Sequence, residues 1–230
     1  MTNIKIRNLF VNVEKKNIRN IRLMVAPPDG EVKLTAPYNI SKSAIKSYLI
    51  SKLSWIDKNV KKFLNQKREI PYKFIDGESH YVLGKKYLLK IIKSNNSYIR
   101  LRDKQIIMYL KEKDFLKKKF IINKFYRDIL YDFAQKIYFK WSKKTKLKIN
   151  KLQIRNMRTR WGSCSIRNKK ITLNLQLGKK PIKYIEYVFV HELSHLLEAS
   201  HNLRFKRILS TYMPDWQTRR KLLNSLPLSN

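Results

Sequence analysis

The stretch YVFVHELSHLLEASHNLRF, residues 187–205, holds three of the chain's four histidines within eleven positions. Its first half is apolar and follows Pro181, so the periodicity predicts a buried helix opened by that proline. HELSH then fits the pattern H-E-x-x-H. At about 100° per residue, His191 and His195 lie about 40° apart and one turn apart, so both imidazoles reach one ion. Glu192 is rotated off that line and suits contact with a water on the ion rather than with the ion itself. Imidazole donors with one position left open predict Zn²⁺.

His201 needs a bend. On an unbroken helix it would sit about 80° from His191 and about 15 Å further along the axis, out of reach of the same ion. The helix is therefore expected to end near Glu198–Ser200, with Ser200 or Asn202 capping a new helix, so that His201 swings back as third ligand. The 1, 5, 11 spacing matches that of metzincins, although Glu198 stands where those have glycine and no Met-turn is identified. Glu198, nearly in line with His191, is the competing ligand or an orienting partner. His80, in GESHYVLG, is remote and reads as a surface or core residue.

Outward from this helix, KITLNLQLG alternates as a half-buried strand, preceded by KLQIRNMRTRWGSCSI. Upstream, Asp114 opens a long amphipathic helix marked by Phe115, Ile122, Phe125, Ile129, Phe133, Ile137 and Trp141. Residues 79–110 read as an antiparallel meander. Residues 3–36 read as the strands IKIRNLFVNV, IRNIRLMVA and EVKLTAP, with PPDG as a turn. Ser41 caps a helix running to about residue 65. A last helical segment covers about 202–224. The sequence shows neither an internal repeat nor a Gly/Ser-rich linker.

A hydrophobic content of 43% with thirteen Tyr, ten Phe and four Trp excludes a disordered chain. No window approaches eighteen apolar residues, and the start lacks a signal-peptide core, so a soluble cytoplasmic protein without a transmembrane segment is expected. The single cysteine, Cys164, excludes an internal disulfide. A formal charge of +36 is extreme and points to a nucleotide or nucleic-acid partner, but the lysines spread over the whole length, as in A/T-rich genomes.

MRTRWGSCS, residues 157–165, is too particular for a generic strand: Gly162 lets a backbone approach closely, and Arg160 and Trp161 suit a pocket. Cys164 as nucleophile is disfavoured because the histidines read better as ligands. RWGSCS, ITLNLQL and YVFVHELSHLLEASHNLRF together resemble the YgjP-like metallopeptidase domain family, relatives of the SprT-like zincins. LTAP, Trp55–Ile56 and YVLGKKYLL extend the resemblance over most of the chain, while Lys206 replaces a usual aromatic. The resemblance implies a zincin-type metal hydrolase with His191, His195 and His201 as ligands and Glu192 as general base. The expected architecture is α+β. A β-rich N-terminal region with one helix, residues 1–112, packs on a zincin-like domain, residues 113–230, with a small antiparallel sheet and the active-site helix. The expected substrate is a peptide or protein, lying as a strand beside ITLNLQL if that strand is an edge, with Arg160 or Tyr212 as a second oxyanion donor. Nucleoside triphosphate pyrophosphohydrolysis, and nucleic-acid association around a structural zinc, are the alternatives.

Overall fold

Alternating apolar residues build the first sheet. The computed structural model describes residues 2–26, 30–65, 71–112 and 114–226, and its chain divides into two compact units, Met1–Glu69 and Ile70–Ser229. In the first, IKIRNLFVNV is two strands, β1 (Thr2–Ile6) and β2 (Leu9–Lys16), because Arg7 takes a left-handed conformation, φ 52, and reverses the chain. With β3 (Arg22–Ala26) and β4 (Glu31–Pro37) they form a sheet of order β1-β2-β4-β3 in which β2 and β4 run parallel. Pro27–Asp29 of the expected PPDG turn lie outside the described residues. Ser41 caps α1 (Lys42–Ser51) by accepting from the Ala44 amide at 3.1 Å. The expected single helix breaks at Lys52 and resumes as α2 (Leu53–Leu64). Val11, Val32, Leu34, Ile45, Leu49 and Ile56 lie at the centre of this unit's core.

The second unit begins with another four-stranded sheet: β5 (Ser79–Val82), β6 (Lys85–Lys93), β7 (Tyr98–Arg102) and β8 (Gln105–Leu110). It is not the expected meander. The order is β5-β6-β8-β7, with β8 parallel to β6. The apolar side chains of β8, Ile106, Met108 and Leu110, are buried, while β7, Tyr98–Arg102, is largely exposed, so the apolar strand takes the centre and the basic one the edge. This connectivity matches that of β1–β4, a repeated topology for which the sequence shows no repeat.

Asp114 caps α3 (Phe115–Thr145), whose buried stripe is Ile122, Tyr126, Leu130, Ala134, Ile137 and Trp141. Next come β9 (Lys151–Arg155), β10 (Gly162–Ser165) and β11 (Lys170–Asn174), in the order β10-β11-β9. β10 pairs antiparallel with β11 but β9 pairs parallel, so the expected small antiparallel sheet is mixed. ITLN is central and buried on both faces, not half-buried, and LQLGK is a short 3₁₀ helix. α4 (Ile182–Ser194), α5 (Leu203–Tyr212) and α6 (Trp216–Ser225) complete the chain; Pro214 separates the last two, where one helical segment was expected.

The unit boundary falls at 69/70, whereas the sequence suggested 112/113. The reason is packing: Val82, Leu89, Ile106 and Met108 share one apolar core with α3 and α4. The β5–β6 turn also docks on the segment leading into α4. The amides of Leu83 and Gly84 donate to the carbonyls of Gly178 and Lys179 at 2.8 and 3.2 Å. Gly84, φ 84, lies so close to Pro181 that an added Cβ would sit 2.6 Å from its Cγ. Among the described residues no helix is long and apolar enough to cross a membrane.

Candidate metal centre

Val188, Phe189, Val190 and Leu193 bury α4, which leaves the face bearing Tyr187 and His191 turned to a cleft of about 470 Å³. α4 ends at Ser194, four residues before the expected stop. The chain turns through 195–197, and Asn202 caps α5 by accepting from the Phe205 amide at 2.9 Å. That reversal brings His201 back: its Nε2 lies 3.0 Å from Nε2 of His191. One ligand atom from each of His191, His195 and His201 lies within 4.8 Å of the others, so the three can hold one ion.

The donor chemistry fits a divalent metal. His195 Nδ1 lies 3.0 Å from the Glu198 carbonyl oxygen, which fixes the proton on Nδ1 and frees Nε2 as a lone-pair donor. Burial, then the neighbouring His195 and His201, push His191 down to about 3, and burial also lowers His201. Both rings are thus kept neutral, the form that ligates a metal. The buried Phe205 stacks on His195 with centroids 4.5 Å apart and meets the edges of His191 and His201 at 5.0 and 4.9 Å, holding the three rings in place.

Glu198, the competing ligand in the sequence reading, acts here through its backbone; its carboxylate accepts from the Ser200 amide and hydroxyl at 3.2 and 3.1 Å. Glu192 is 6% exposed, and burial pushes its carboxyl up to about 8 against the opposing charge of Arg160. It touches β10 closely. A Cβ at Gly162 would fall 2.6 Å from Glu192 Oε1, 2.7 Å from its Cγ and 2.9 Å from Val188 Cγ1. Only a bare backbone lets α4 and β10 approach this far.

β10, Arg160 and Trp161 form one wall. Asn174, buried at the end of β11, holds it: its side-chain amide donates to the carbonyls of Met157 and Arg160, each at 2.8 Å, and its backbone amide donates to Trp161 O at 2.8 Å. Because β11 is central, no peptide can add beside ITLN; β10 is the sheet edge facing the cleft. Tyr212 is elsewhere, packed edge-on against Trp141. His80 is fully buried outside the cleft, 3.0 Å from Glu78 and stacked on Tyr72. Cys164 lines the wall, its thiol pushed up to about 11 by burial and by Glu192.

Sequence reasoning missed four contributors. Tyr187 lies one turn before His191 and could have been found from helical spacing. Phe205, packed against the three rings from α5, and Arg220 and Asn224, which line the cleft from α6, carry no local signal.

The family model described as YgjP-like, metallopeptidase domain, matches residues 19–226. No curated protein matches the chain. Among solved structures, the metallopeptidase zymogen abylysin of Pyrococcus abyssi is similar at 17% identity and TM-score 0.35, over 41% of this chain and 90% of that one. The zymogen jannalysin of Methanocaldococcus jannaschii is similar at 22% identity and TM-score 0.34, over 42% and 89%.

Proposed function

We propose that this chain, which belongs to the YgjP-like metallopeptidase domain family, hydrolyses peptide bonds with Zn²⁺ held by His191, His195 and His201 and with Glu192 as general base. One observation carries the reading: three imidazoles converge in a cleft whose wall also carries the buried Glu192. A divalent ion bound there supplies a Lewis acid that polarises the scissile carbonyl and acidifies the attacking water.

The chain's own residues do the rest. The Glu192 carboxylate takes a proton from the attacking water and delivers it to the leaving amine. Burial raises its proton affinity and makes it an effective acceptor, and the ion's charge, once present, lowers it again towards the working range. An extended peptide pairs with β10, the free edge, through main-chain hydrogen bonds. Arg160, at the end of that wall, donates to the developing oxyanion. Tyr212 is set aside as an oxyanion donor because its ring packs against Trp141.

Phosphoanhydride hydrolysis is the weaker reading. Among the described residues the histidine triad is the one cluster of three or more His, Cys, Asp or Glu able to hold a metal, so nothing resembles a carboxylate site for Mg²⁺. The high charge, spread along the chain, favours no nucleic-acid partner.

Metal content of purified wild type beside His195→Ala and His201→Ala, with digestion of an unfolded protein and turnover of UTP, tests the proposal. We expect about one zinc per chain, marked loss in both variants, and protein digestion cut to a small residual rate in Glu192→Gln with metal retained. Nucleotide turnover alone, abolished in Glu192→Gln, overturns the peptidase reading.

A further inference from the structure

The proposed chemistry leaves one charged group of the cleft without work. Its lining contains a single carboxylate, Glu192, but two guanidiniums, Arg160 and Arg220. The Arg160 charge acts on Glu192, whereas that of Arg220 acts on Tyr187, His191 and His201. The neighbouring Arg219 is fully engaged, with Asp215 at 2.8 Å and Glu186 at 3.1 Å. Arg220, the next residue of α6, lines the cleft and, among the described residues, makes no ion pair with a carboxylate. Asn224 follows it by one helical turn on the same face and also lines the cleft.

A cation held beside three metal-binding imidazoles is electrostatically unfavourable on its own, and more so once an ion adds two charges. An incoming anion relieves both. The guanidinium fork matches the two oxygens of a carboxylate, and the Asn224 carboxamide supplies a further donor.

We propose that Arg220 and Asn224 form a specificity-determining subsite that takes a peptide carboxylate next to the bond to be cut, either an acidic side chain or a C-terminal α-carboxylate. The proposal rests on the peptidase reading and names its substrate class. Both residues are exposed and accessible to an arriving chain. Exposure also means screening, so the preference weakens as salt rises.

The test uses internally quenched peptide libraries on the full-length zinc enzyme, with Glu or its neutral isostere Gln fixed at successive positions, each made with a free and an amidated C-terminus. We expect kcat/KM about tenfold or more higher for Glu at one position next to the cleaved bond, or for the free C-terminus, according to which carboxylate is read. Arg220→Gln should bring that ratio close to one, and Arg220→Glu should invert it in favour of Gln. Arg207→Gln, on an exposed part of α5 outside the cleft, should leave it unchanged. A second readout is free of turnover: the affinity of the Glu and Gln peptides for metal-free protein, followed by the change in tryptophan fluorescence that is lost in Trp161→Phe, Trp161 being in the cleft wall. Equal affinity and turnover for Glu and Gln peptides, free and amidated, or a preference that survives Arg220→Gln, overturns the subsite. Arg220-dependent binding of a nucleoside triphosphate without any carboxylate-peptide preference also overturns it. Carboxylate-selective, Arg220-dependent binding by a protein that cuts no peptide would keep the subsite and sink the peptidase reading instead.

Discussion

Gly162→Ala isolates the contact between β10 and the glutamate of α4. The new methyl would sit 2.6 Å from Glu192 Oε1, 2.7 Å from Cγ and 2.9 Å from Val188 Cγ1. Contact between carbon atoms relaxes only near 3.5 Å, so the Glu192 side chain or the strand must shift by roughly 1 Å. The tip of a glutamate can swing cheaply, but Cγ and the valine methyl sit close to the helix backbone and cannot. Overpacking of this kind costs about 1–3 kcal/mol of stability, whereas a misplacement of about 1 Å at a reacting group costs about 100-fold in rate. The expected result is a kcat about 100-fold lower, with KM nearly unchanged, in a protein that still melts cooperatively a few degrees below wild type. The assay is steady-state peptide hydrolysis beside calorimetry, repeated in the Glu192→Gln background. There the same substitution should cost almost nothing further in rate, because the group it displaces no longer carries a proton. Wild-type kcat in Gly162→Ala, or an equal loss in both backgrounds, would refute the reasoning.

Three further outcomes follow from the same geometry. Glu186 accepts from Trp141 Nε1 at 3.0 Å, Lys140 at 2.8 Å and Arg219 at 3.1 Å, joining α3, α4 and α6. Glu186→Ala strands the buried indole N–H, and after allowance for the exposed lysine should destabilise by about 1–3 kcal/mol, read as a lower midpoint in urea. In metal-free protein Glu192 binds its proton up to about pH 8 in the fold but only to the usual carboxylate range when unfolded. Folding therefore loses stability as pH rises through that window, while the depressed His191 acts oppositely and costs stability as pH falls from about 6.5 towards 3. The melting temperature should thus decline between pH 6.5 and 8, and Glu192→Gln should abolish that decline; a flat wild-type profile would contradict it. Cys164, half-buried and raised to about 11, should alkylate far more slowly at pH 8 in native protein than in urea, and equal rates measured by mass spectrometry would exclude a raised thiol.

Elements set by contacts within a few turns of chain were legible. The existence of α3, the proline opening α4 and the one-turn offset of His191 from His195 all follow from helical period and capping, although of the apolar residues read as marking α3 only Ile122, Ile137 and Trp141 lie in its buried stripe and Phe115 is exposed. The need for a chain reversal before His201 was legible too, since a straight helix would carry that ring away. Its place was not: α4 stops at Ser194, where the rings pack around the buried Phe205, a residue brought in by the following helix.

Sequence alone determined which histidines could share one ion and on which helical face two of them lie, because side-chain direction along a helix is a local property. Tertiary structure decided strand order, and with it which strand, β10, is the edge facing the cleft. The apolar β8 and β11 are driven to the centres of their sheets by the burial they gain against helices, a competition between distant segments that no short window contains. It also decided the charge of the cleft. Arg160 and Arg220 are sixty positions apart and reach one site only because Asn174 pins one wall and α6 packs on α4 to bring the other.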